Sequence, residues 1–102
     1  MTANCLVLSG VVSREPKHSV SPAGVPHCHF ALDHESEQEE AGHLRRAWCR
    51  LEVVASGFEL QTQTASLTTA MQLRVSGFIC YRKTANGLGT VVLHAKSIEQ
   101  IK

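Results

Sequence analysis

The sequence contains no run of about 18 apolar residues, so no segment of it reads as a membrane-spanning helix. Its first residues, Met1-Thr2-Ala3-Asn4-Cys5, lack the charged start and long apolar stretch of a signal peptide, which predicts a cytoplasmic protein. The four cysteines, Cys5, Cys28, Cys49 and Cys80, form no C-x-x-C pair. That spacing argues against a disulfide framework and paired zinc ligands, and predicts reduced thiols buried as small apolar side chains. No glycine-rich phosphate loop, metalloprotease motif or serine elbow is present. A cysteine nucleophile would need a lowered pKa and an adjacent base, which no local pattern supplies. The expectation is a protein that is not an enzyme and carries no cofactor. Excess charge is also missing. A net charge of +1 makes no case by itself for a polyanion partner. Aromatics make up only 5% of the chain, with a single tryptophan, so the position of that tryptophan is informative.

A chain of 102 residues predicts one small domain, residues 1–102, which hides about 60–70% of its unfolded surface. Cys5 to Ser13 reads as a first strand, with Gly10 marking a bend and Pro16 ending the run. Ser21-Pro22-Ala23-Gly24-Val25-Pro26 supplies turn chemistry. His27 to His34 alternates as a second strand, with Cys28, Phe30 and Leu32 on one face. Glu35 to Gly42 reads as a solvated acidic loop. A third strand runs from Leu44 to Ser56. Phe58 to Thr69 has no clear apolar stripe and reads as a short helix or an irregular crossover. Met71 to Tyr81 forms a fourth strand, Asn86-Gly87 a hairpin, and Thr90 to Ile101 a fifth strand. Five strands, no long helix and glycines placed within the strands predict an all-β, five-stranded Greek-key barrel of the OB-fold type.

Residues Asp33 to Glu40 carry five acids and no lysine or arginine, leaving ten basic and four acidic residues elsewhere. Positive surface is therefore expected away from this segment. Within the third strand, Ala47, Cys49, Leu51, Val53 and Ala55 share a core-like face. Arg46, Trp48, Arg50, Glu52 and Val54 share the other. An indole between guanidinium groups on a polar face suits a surface that stacks nucleobases and neutralises phosphates. The bland alternative is a tryptophan covering a core edge beside solubilising arginines. Arg82 and Lys83 at the mouth of the Asn86-Gly87 hairpin, and Lys17 and His18 in the first connection, would border the groove that OB barrels use for nucleic acid. His27-Cys28-His29 resembles a metal cluster in composition. In a strand, however, Cys28 points away from both histidines, which leaves a core thiol and two exposed imidazoles, with no metal site expected.

The segments Leu6-Val7-Leu8-Ser9-Gly10, Val20-Ser21-Pro22-Ala23-Gly24-Val25-Pro26-His27-Cys28, Gln38-Glu39-Glu40-Ala41-Gly42, Ala47-Trp48-Cys49, Val75-Ser76-Gly77-Phe78-Ile79, Asn86-Gly87-Leu88 and Val92-Leu93-His94-Ala95 together resemble the primosomal replication protein N (PriB) family. The resemblance spans nearly the whole chain. It implies an OB-fold homodimer without catalytic activity that binds single-stranded DNA, stimulates the PriA helicase and helps recruit DnaT during replication restart. By position it implies a stacking role for Trp48, with Arg45 as its basic neighbour and Lys83 as a hairpin cation. Arg46, Arg50, Arg82, Lys17 and His18 remain candidates on local electrostatics alone. The chain departs from the family at His43, where an aromatic is common, and at Ser19, Glu35, Ala85 and Thr90, where basic residues are common. These losses leave open a second reading, a primosome adaptor that contacts proteins and binds DNA only marginally.

Overall fold

The computed structural model describes residues 2–102. Its elements are β1 (Leu6–Val12), β2 (Lys17–Val20), β3 (Pro26–Glu40), β4 (His43–Ser56), α1 (Phe58–Thr64), β5 (Gln72–Lys83) and β6 (Gly89–Gln100). The strands lie in the order β1-β5-β6-β4-β3-β2, and β1 also pairs with β3 at Val11 and Val12. That contact closes β1, β5, β6, β4 and β3 into a five-stranded barrel with β2 on its flank. The chain leaves β4 through α1, crosses to β5 and returns beside β4 as β6, so β4 and β6 run parallel. This is the Greek-key connectivity of an OB-fold. Among the described residues no helix is long and apolar enough to cross a membrane.

Alternation builds the core. Val12, Phe30, Leu32, Val53, Leu73, Val75 and Leu93 point inward and are almost completely buried. Leu60 and Leu67 close the barrel beneath them. Gly57 holds φ at 104°, a conformation that favours glycine, and so turns the end of β4 into α1. At Gly10 a Cβ would overlap the Asp33 carbonyl, so glycine is what lets β1 approach β3 and close the barrel.

Several expectations from sequence need correction. The first connection contains β2, whose Lys17–Val20 backbone pairs with Pro26–His29. Lys17 and His18 therefore sit on a strand with opposed side chains. The acidic segment Glu35–Glu40 is no loop. It continues β3 and pairs with β4 as far as Glu40 opposite His43. Only Ala41 and Gly42 turn the chain, with φ of 52° and 80°. Two successive positive φ values match the twist of a tight hairpin. The hairpin projects beyond the barrel, which stretches the molecule to 51 Å along its long axis. For the same reason Cys49, although on the core-side parity of β4, is exposed. Cys5 and Cys80 are exposed as well, and only Cys28 is buried. Val54, assigned to the polar face, is 8% exposed.

Candidate nucleic-acid interface

The outer face of the barrel can be followed strand by strand through its register. Phe78 on β5 lies opposite His94 on β6, His94 pairs with Val54 on β4, Val54 with His29 on β3, and His29 with Lys17 on β2. Moving outward along the hairpin, the same face presents Glu52 opposite Ala31, Arg50 opposite Asp33, Trp48 opposite Glu35 and Arg46 opposite Glu37. Arg82 shares the parity of Phe78 on β5, and its charge acts on His29. Trp48, Arg46, Arg50, Arg82 and Lys17 thus belong to one continuous face.

Trp48 is 58% exposed, and the Arg50 guanidinium stands 5.9 Å from its ring centroid. The indole does not cover a core edge. It stands on the projecting part of the hairpin with its body available to a ligand. A large aromatic left this open on a sheet face has the geometry to stack a base.

The arginines around it are not free. Arg50 donates to both carboxylate oxygens of Asp33, at 2.7 and 3.1 Å. Arg46 donates to Glu35. Arg45 pairs with Glu40 at 3.0 Å. The hydrogen bond from Arg50 holds the Asp33 carboxyl below the usual carboxylate range, and Asp33 in turn raises the Arg50 guanidinium above its own ordinary value. The acidic segment was expected to lie apart from the positive surface. It instead supplies the partner strand of that surface and neutralises it pair by pair.

The remaining candidates separate. Arg45 has the opposite parity to Trp48 and faces the other side of the hairpin. Lys83 follows Arg82 at the end of β5 and faces the other side of the β5–β6 ribbon. His18 pairs with Cys28 and lines a pocket of about 150 Å³ with Cys28, Gln61 and Thr64, away from the outer face. Burial pushes the Cys28 thiol up, with a smaller opposing effect from Thr64. His27 bonds Ser56 Oγ through Nδ1 at 2.7 Å. Among the described residues, Lys17, Arg82, Lys83 and Lys96 have no carboxylate within ion-pair distance.

Sequence reasoning missed Phe78, His94 and Lys96. Phe78 and His94 stack with centroids 5.0 Å apart and planes 4° apart. The signal was available for Phe78, since it has the parity of Arg74, Ser76 and Arg82.

A family described as "another single-strand binding protein family" matches residues 4–97. The replication restart protein PriB of Photorhabdus laumondii is 55% identical over 101 residues, covering 99% of this chain and 96% of that protein. The chain belongs to the PriB family. A PriB protein of Escherichia coli is 53% identical over 98 residues, 96% of this chain and 94% of its own length. Among solved structures, PriB from Ralstonia solanacearum superimposes with a TM-score of 0.82 at 20% identity, covering 99% of this chain and 100% of its own. A Plasmodium falciparum single-strand binding protein, solved with single-stranded DNA, gives 0.85 at 15% identity, over 100% of this chain and 97% of its own. At those identities the structural matches establish the OB fold. The PriB-family assignment rests on the sequence relatives.

Proposed function

We propose that the protein is a single OB-fold domain that binds single-stranded DNA during replication restart, with Trp48 as its principal stacking residue. The observation that carries this reading is the exposed indole on a barrel face that also presents Arg82 and Lys17, in a chain of the PriB family. A base stacked on Trp48 contributes roughly 1–3 kcal/mol, and each phosphate held by Lys17 or Arg82 adds affinity that salt weakens. Because Arg45, Arg46 and Arg50 are already paired, few counterions are released on binding and the salt dependence is shallow for an OB protein. Fluorescence anisotropy with labelled oligonucleotides tests the reading. Trp48→Ala is expected to weaken binding roughly fivefold to a hundredfold. Unchanged affinity in a folded Trp48→Ala protein overturns the stacking role.

The paired arginines favour a second reading, in which the family's protein contacts dominate. Family resemblance supports PriA and DnaT as partners, with the protein stimulating the helicase and helping to recruit DnaT. A pull-down of PriA and DnaT beside the anisotropy titration separates the readings. Partner capture with only marginal oligonucleotide affinity supports the adaptor.

A homodimer is also proposed. On the side away from β5, β1 pairs only through Val11 and Val12, and His34 of β3 meets the Ser9 carbonyl, which leaves Leu6–Leu8 without a neighbouring strand. An open edge of this kind suits pairing with a symmetric copy.

A further inference from the structure

The β5–β6 ladder carries one irregularity. Ser76 pairs with Ser97, but Gly77 pairs with Ala95, so Lys96 is an extra residue with no partner on β5. This is a β-bulge, a device that re-aims a side chain and is common beside functional sites. It depends on Gly77, where a Cβ would overlap the His94 carbonyl. The bulge sends the Lys96 ammonium over the Phe78 ring, 5.9 Å from its centroid. Phe78 in turn lies flat against His94. The result is two parallel half-buried rings and a lysine with no carboxylate in ion-pair range, in contrast to the paired arginines of the hairpin. Val54, the next residue along the row, gives the imidazole an apolar floor on its other side. Exposed Phe58 lines the same surface hollow as Lys96.

We propose that Phe78, His94 and Lys96 form a second nucleotide subsite, which stacks a base against the ring pair over Val54 and holds its phosphate on Lys96. The inference rests on the single-stranded DNA reading and extends it. Single-stranded nucleic acid is the occupant because the patch combines flat π-faces with an unpaired cation and is continuous with Trp48 along β4 through Val54, Glu52 and Arg50. Val54 and Trp48 are six residues apart on β4, about 20 Å at the rise of a strand. An extended strand of several nucleotides spans that distance, whereas a very short oligonucleotide does not. The ordinary alternative is a cross-strand aromatic pair that only stabilises the sheet.

The test is anisotropy with oligothymidylates of about 3 and about 16 nucleotides, the first too short to reach from Trp48 to the ring pair and the second at the upper limit that one OB fold covers. The variants are Phe78→Leu, which keeps apolar volume but removes the π-face, and Lys96→Gln. Both are expected to weaken binding of the long oligonucleotide about fivefold and to leave the short one, held at Trp48, unchanged. Lys96→Gln should also lower the salt slope for the long oligonucleotide by about 0.7. Long-oligonucleotide affinity and salt slope equal to wild type in both folded variants overturn the subsite, and loss of a protein partner in place of DNA would overturn it equally. If Trp48→Ala leaves both lengths unaffected, the single-stranded DNA reading fails on its own, separately from this outcome.

Discussion

His29 lies between Lys17 on β2 and Val54 on β4, where the fold acts on its charge state. Partial burial holds its imidazole below the ordinary histidine value. Arg82 and His27 push the same way, and Glu52 opposes them. An unfolded histidine takes up a proton near pH 6.5, while the folded one resists until the pH is lower. Stability from this source is therefore present above about pH 6.5 and is lost as the pH falls from there through the folded value. Binding should respond in the opposite sense. Phosphates brought beside Lys17 and Arg82 favour the protonated ring, so oligonucleotide affinity is expected to rise as the pH falls through the same window. His29→Gln removes both effects. Its thermal midpoint should fall less on acidification than that of wild type, and its affinity should gain less. Thermal melts and anisotropy titrations on either side of the window check this, and identical pH profiles for the two proteins would contradict it.

The β3–β4 hairpin is an element whose two strands carry opposite charge. Exposed ion pairs of this kind contribute little to stability, so their main consequence is for what the hairpin can bind. Asp33 and Glu35 occupy guanidinium groups that would otherwise meet phosphates. Asp33→Asn with Glu35→Gln frees Arg50 and Arg46 beside Trp48. The double variant is expected to bind oligonucleotides about tenfold more tightly at low salt, with a salt slope steeper by about 1.4. Affinity unchanged at low salt would mean that those arginines do not reach the DNA. The hairpin also marks where sequence was readable. Strand parity in β4 correctly separated Val53 and Ala55 from Arg46, Trp48 and Arg50, because alternation is a local property of the chain. Glu35–Glu40 was not legible as strand, since acids are depleted in strands and their compensation comes from arginines on the next strand. Nor was the exposure of Cys49, which depends on where the barrel ends. Lys96 was hidden for a further reason: a bulge shifts parity, and its position is set by the pairing of β5 with β6 and not by either strand alone.

At the scale of the whole molecule, the barrel is closed for most of its circumference and open at one place. Val11 and Val12 reach β3, but the hairpin then diverges, and His34 Nδ1 meets the Ser9 carbonyl at 2.7 Å where a strand pairing would otherwise continue. Before that point the edge of β1 is bare, and Val7 beside it is 56% exposed. On β1's other flank, the Asn4 side chain accepts from the Ile79 N–H and donates to its carbonyl, both at 2.9 Å, so β5 keeps a strand-like partner beyond Leu6. The other edge, at Leu6–Leu8, stays open. A copy related by a two-fold axis would pair β1 with β1 antiparallel and set two Trp48 faces on one assembly, which gives a long strand two stacking points without a second domain. The expected mass by light scattering is twice the 11.1 kDa of the chain. Because the folded dimer is linked to protein concentration, the thermal midpoint should rise with concentration. Val7→Lys places like charges at the edge and is expected to shift the equilibrium to monomer while retaining the β-rich circular dichroism spectrum. A wild-type monomer at micromolar concentration, with a midpoint independent of concentration, would remove the dimer and leave one groove per DNA-binding unit.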